Sequence, residues 1–226
     1  MHFEHKAGDK MFIDFTGNKL AVTDKKTGEI AEVEVFVAIL GASQMTYVEA
    51  TESQQKDDFI AATENALHYF GGSPQAVVPD NLKSGVTKSC KYEPLLNEDF
   101  NNFLLHYGSC ALPARSRKPK DKPLVENAVR IIYSRIFAKL RDKTFFSLTD
   151  LNEAIRELLE IHNKINFQGR DYSRYDLFKE IEENELNKLP GERYEIKSYK
   201  TLKVNKNCHI YLSEDRSEEH TSELQS

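Results

Sequence analysis

Three observations predict an α/β domain. Short runs of β-branched and aromatic residues, separated by Gly, Asn and Asp turns, fill the first 50 positions. Amphipathic stretches with apolar residues three and four apart follow, several ended by glycine, and alternate with further short apolar runs. Carboxylates stand on two of the strand-like runs or at their ends, and one stands early on a helix.

The 226 residues, 39% hydrophobic and 30% charged, suffice for one main core and a small appendage. No run approaches the roughly 20 apolar residues of a membrane span, and Met1-His2-Phe3-Glu4-His5 has no apolar secretory core, so a cytoplasmic protein is expected. Cys90, Cys110 and Cys208 are far apart and odd in number, which argues for reduced thiols over a disulfide framework or a paired-cysteine zinc site. His2 and His5 lack the matching cysteine pair that a zinc domain needs.

Taken in order, residues 1–9 read as an irregular entry and 11–15 and 19–22 as two strands. Gly17-Asn18 between them is a favoured hairpin turn. Residues 32–40 alternate and then become fully apolar, as a strand entering a core does, and 45–49 is its continuation or a new strand. Ser53 is expected to cap a helix over 55–70, with Phe59, Ala62, Ala66, Leu67 and Phe70 inward and Gly71-Gly72 ending it. A short strand then leads to Asp80, and 81–94 reads as loop. Asn97 is expected to cap a helix over 98–107, Gly108 stops it, and 110–112 is the last short strand.

The next helix begins with Pro123, whose missing N–H costs nothing in a first turn, and runs to about Leu140. Val125, Val129, Ile132, Ile136 and Leu140 form its core-facing stripe, and Lys122, Glu126 and Arg130 form a neighbouring one. Thr149 is expected to cap a helix over 151–162; 163–174 is loop, and 175–185 is a short acidic helix whose 180–185 run faces solvent. Tyr69, Tyr92 and Tyr107 are read as packing residues.

The net charge of −5 speaks against a polyanionic partner, but its distribution reverses that. Between Pro113 and Lys143 stand Arg115, Arg117, Lys118, Lys120, Lys122, Arg130, Arg135, Lys139, Arg141 and Lys143 against Asp121, Glu126 and Asp142. Acids concentrated in 176–195 do not cancel such a patch beyond a Debye length of about 8–10 Å.

Glu126, between two cations on a helix, suits either a salt-bridged surface or a metal site facing a polyanion. Asp14 and Asp80 belong to apolar strand-like runs, where a carboxylate is paired, hydrogen-bonded or metal-bound because burying it alone is costly. Taken singly, Asp14 is also an ordinary hydrogen-bonded strand acid and Asp80 a turn former.

Phe12-Ile13-Asp14-Phe15-Thr16-Gly17, Val78-Pro79-Asp80-Asn81-Leu82-Lys83-Ser84-Gly85-Val86 and Lys120-Asp121-Lys122-Pro123-Leu124-Val125-Glu126-Asn127, in this order of elements, resemble the catalytic core of DDE transposases and retroviral-type integrases. The resemblance is greatest to IstA-type insertion-sequence transposases and covers about residues 5–215. It implies an RNase H-like fold, a mixed sheet of about five strands flanked by helices, over 10–170, then a helical linker over 171–193 and the start of a small β module over 194–215. Residues 216–226 resemble a translated sequencing-adaptor oligonucleotide and are expected to be a non-native tail, with the natural chain longer at both ends.

The same resemblance implies two Mg2+ (or Mn2+) ions held by Asp14, Asp80 and Glu126, 3′-end cleavage of DNA and joining of those ends to a target. It implies DNA contacts from Arg115, Arg117, Lys118, Lys120, Lys122, Arg130, Asn81, Lys83 and Asn127. The partners it implies are element ends and target DNA, an AAA+ helper ATPase and further copies of the chain assembled on DNA at the bacterial nucleoid. Two other functions stay open: a nuclease of the same fold that does not join, and a catalytically silent DNA-binding or assembly remnant.

Overall fold

In the computed structural model, β1 (Lys10–Phe15) and β2 (Leu20–Thr23) lie one after the other along β3 (Ile30–Leu40), both antiparallel to it. The described residues are 5–79, 86–88, 95–96, 98–112 and 123–196, with side chains described at all of these except 86–88, 95–96 and 123–126. They fall within one compact unit, Met1–Ile196; residues 197–226, which include most of the expected β module and the expected tail, lie outside them.

Gly17-Asn18 does not form the expected hairpin turn, since β1 and β2 both pair with β3. Phe15 pairs with Phe36 and Leu20 with Val33, so the residues from Thr16 to Lys19 bulge opposite only Glu34 and Val35. Thr16 N–H donates to Val35 O at 2.8 Å and Thr16 Oγ1 to Asn18 O at 2.7 Å, which keeps the chain on the same strand. The reversal comes later, where Asp24 Oδ1 accepts from Lys26 N at 2.7 Å and Thr27 N at 2.8 Å, and Gly28 takes φ +73°.

β4 (Thr46–Thr51) is a new strand, antiparallel to β3. After α1 (Lys56–Phe70), β5 (Ala76–Pro79) returns parallel to β1. The stretch read as loop, 81–94, contains β6 (Val86–Lys88), which pairs antiparallel with β7 (Leu95–Leu96) just after it. Then α2 (Glu98–His106) leads to β8 (Cys110–Ala111), parallel to β5. The main sheet is therefore mixed and six-stranded, one more than expected.

α3 (Pro123–Ile132) passes through a π segment, Tyr133–Phe137, into α4 (Ala138–Leu140). The line buried along it is Ala128, Ile132, Ile136 and Leu140, with Val129 only partly buried. A strict spacing of four drifts around an ordinary helix of 3.6 residues per turn, and the wider π turn brings the line back into phase. α5 (Leu148–Lys164) follows, and α6 (Arg174–Leu177) runs into a π turn, Phe178–Glu182.

Two caps differ from expectation. Ser147, not Thr149, caps α5, its Oγ accepting from Asp150 N at 3.0 Å. Gln55 precedes α1 without a side-chain cap, while Ser53 accepts from Gln55 N at 3.0 Å.

One face of the sheet packs on α1 and α2 through Phe15, Phe36, Phe59 and Phe100, whose ring centroids lie 5.6, 6.1 and 4.9 Å apart in succession. α5 closes the edge of β4 with side-chain amides. Asn152 accepts from Ala50 N at 2.7 Å and donates to Ala50 O at 2.9 Å; Asn163 accepts from Thr46 N at 3.2 Å and donates to Thr46 O at 2.8 Å. Backbone groups that would otherwise template a further strand are thereby satisfied.

The acidic helix is not a solvated face throughout. Glu182 is fully buried and accepts from Gly8 N at 3.3 Å, Ala42 N at 3.4 Å and Ser43 N at 2.8 Å, fastening this segment to the core. Tyr107 is buried and donates to Glu64 at 2.5 Å, and Asn163 donates to the hydroxyl of Tyr69 at 3.1 Å, so both tyrosines pack as expected; Tyr92 lies outside the described residues.

Candidate active site

Side chains alternate along β1, so Met11, Ile13 and Phe15 face the large core while Phe12 and Asp14 share the other face. Phe12 packs there with Ile39 of β3 and Val78 of β5. Asp14, half-buried, stands beside this small apolar cluster, opposite Val37 in the register.

β5 approaches the same place from the other side. Its last register pair is Pro79 with Ile13, the residue before Asp14, and proline, which has no N–H to give a ladder, suits the end of a strand. Asp80 follows Pro79 directly in sequence and lies outside the described residues, as do Asn81 and Lys83.

The third element is α3, docked on this face by a small residue. Ala128 is 7% exposed and packs with Phe12, Ile39 and Val78, with Val129 against the same cluster. A bulkier side chain at that point would hold the helix away from the strands. Glu126 is two residues earlier in the same helix; its side chain is outside the described set. Asn127 and Arg130 are exposed, and Arg130 Nη2 donates to Asn127 Oδ1 at 2.9 Å.

Of the expected site residues, then, the fold brings Asp14 and the helix of Glu126 to one face of the sheet, at the end of β5. Arg115, Arg117, Lys118, Lys120 and Lys122 lie outside the described residues. Among the described residues no group of three or more His, Cys, Asp and Glu is placed to hold a metal ion. No helix among them is long and apolar enough to cross a membrane. In the sequence Ala128 is masked by the larger Val125 and Val129 of the expected stripe; the four-residue spacing Ala128, Ile132, Ile136 is the signal that marks it.

Comparison with known proteins gives this geometry a context. Residues 4–119 match the integrase core domain family. A Sinorhizobium fredii protein named as a transposase is 45% identical over 206 residues, 91% of this chain and 40% of its own length. The Pseudomonas fluorescens protein named as the transposase for insertion sequence IS1162 is 41% identical over 213 residues, 94% of this chain and 38% of its own. The chain thus spans about two fifths of the length of these curated relatives. The HTLV-2 integrase catalytic core domain, solved in complex with magnesium in a trimeric form, superposes with a TM-score of 0.55 at 18% identity, covering 77% of this chain and 99% of that one. At that identity the likeness is one of fold, and the fold is the RNase H-like integrase core, a mixed sheet flanked by helices. Matched over just over half its length, the chain belongs to the integrase core domain family.

Proposed function

We propose that the chain is the catalytic core of an IstA-type insertion-sequence transposase that cleaves DNA at the 3′ ends of its element and joins them to target DNA. The observation that carries this reading is the docking of α3, through Ala128, on the sheet face that bears Asp14 at the end of β5. In sequence, Asp80 stands two positions after Val78 of that cluster and Glu126 two before Ala128, and this spacing supports reading the three acids as one site.

The donor set fits a hard divalent cation: three carboxylates, no thiolate and no imidazole. Asp14, Asp80 and Glu126 would hold two such ions, Mg2+ or Mn2+, and the magnesium bound to the HTLV-2 core domain supports that choice. When bound, they supply polarisation of the scissile phosphate and activation of a water or a DNA 3′-OH. The protein's own part is positional. Arg130 and Asn127, on the exposed side of α3, meet backbone phosphate or a base edge; Lys122 and the Arg115, Arg117, Lys118 and Lys120 run track the backbone, with Asn81 and Lys83 beside Asp80 in sequence. The helper ATPase and the DNA-assembled oligomer belong to the same reading and rest on the motif resemblance; a cytoplasmic setting is proposed with them.

The test is a strand-transfer assay with a duplex ending in a free 3′-OH. Joined products that need Mg2+ or Mn2+ and vanish in Asp14→Asn and Glu126→Gln are expected. Hydrolysis without joining would reduce the reading to a nuclease, and activity retained in either variant would remove that acid from the site.

A further inference from the structure

Where the π segment after α3, the end of α5 and the start of α6 meet, three basic side chains are packed together. Arg135 Nη1 donates to His162 Nδ1 at 3.2 Å. Because arginine only donates, Nδ1 is the accepting nitrogen, and the remaining ring hydrogen sits on Nε2. His162 is 2% exposed and Arg174 5%. Arg174 lies with Cζ 4.6 Å from the centre of the Phe167 ring, and its Nε, shut from solvent, has no hydrogen-bond partner. Among the described residues no carboxylate is paired or hydrogen-bonded with any of the three.

Two buried or half-buried guanidiniums with no counter-charge among the described residues are an expensive arrangement unless something anionic completes it. Burial and then the Arg135 charge lower Arg174 to about 10. A guanidinium presents a planar fork of donors that matches phosphate oxygens. Arg135, the half-buried member, opens the cluster to solvent, and its neighbours along the chain, Arg130 before it and Lys139, Arg141 and Lys143 after it, stand against only Asp142. That surrounding charge favours a polyanion. Arg135 is nine residues beyond Glu126, or roughly 13 Å along the helix axis, so an occupant there would be distinct from the group reacting at the acids.

We propose that Arg135, His162 and Arg174 form a phosphate-binding pocket separate from the carboxylate site, and that it takes one backbone phosphate of bound DNA. The choice of DNA as the source rests on the function proposed above; the pocket itself does not.

Two readouts on the full chain separate these. In melting experiments at fixed ionic strength, replacing chloride by inorganic phosphate should raise the Tm of the wild type by about 2–4 °C and leave Arg135→Gln unmoved. In duplex titrations across salt, Arg135→Gln should weaken binding about fivefold whatever the sequence and flatten the slope of log K against log salt by about one. Arg174→Lys, which keeps the charge and loses the fork, should behave likewise in both. Equal phosphate responses in wild type and Arg135→Gln would overturn the pocket. A wild-type-specific phosphate response with unchanged duplex binding would overturn DNA as the source, and a wild type that responds to phosphate yet binds no DNA would overturn the proposed function instead.

Discussion

Glu182 accepts hydrogens from Gly8, Ala42 and Ser43 in a site closed to water, and all three partners are more than 130 residues away in sequence. Nothing local marks it. Within Glu180-Ile181-Glu182-Glu183 it looks like its solvated neighbours, and only the fold separates them. Removing the carboxylate strands buried amides, so Glu182→Ala should lose about 2–4 kcal/mol in urea unfolding; an unchanged midpoint would show that water replaces it. His162 makes a second prediction at this scale. Burial, then the Arg174 and Arg135 charges, lower it from an ordinary 6.5 to about 3. Between those values the unfolded chain takes up a proton that the folded chain refuses, so stability is full above 6.5 and falls as the pH drops. In chloride buffer the wild type should lose about 2 kcal/mol between pH 7 and 5 through this group, and His162→Gln should lose correspondingly less.

At the scale of elements, the helices were legible because their apolar spacing and glycine stops are local signals, whereas the choice of cap was not. Ser147 and Thr149 are both plausible caps by type, and Ser147 is used because its hydroxyl reaches Asp150 N. Strand pairing was the harder problem. Gly17-Asn18 has hairpin chemistry, but β3 is eleven residues long and accommodates both β1 and β2, so the dipeptide forms part of a bulge. The docking of α3 has the most direct functional consequence. Ala128→Leu should overpack the contact with Phe12, Ile39 and Val78, cost about 1–3 kcal/mol and reduce strand transfer in a folded protein, as circular dichroism and the joining assay would show. A fully active Ala128→Leu would mean that the close approach of α3 does not position the site.

For the whole molecule, the family and its RNase H-like core were legible because three motifs occur in order among the predicted elements; the family match over residues 4–119 covers the first two and ends before the Glu126 motif. The sheet face that bears Asp14 was legible only in part: Asp14 sits on a strand whose alternation places it beside Phe12, but which helix covers that face depends on Ala128, a residue too small to register in an apolar stripe. The cluster of Arg135, His162 and Arg174 was invisible for a similar reason, since its members come from three helical segments, and Arg135 merged with the basic run around it. The proposed function stands on Asp14, Asp80 and Glu126 together forming a divalent-cation site. Calorimetric titration of Mn2+ into the chain, with a short duplex bearing a free 3′-OH present, tests it most directly. Binding by the wild type that is lost in Asp80→Asn and in Glu126→Gln is the predicted result; no binding by the wild type, or binding unchanged in both variants, would contradict it.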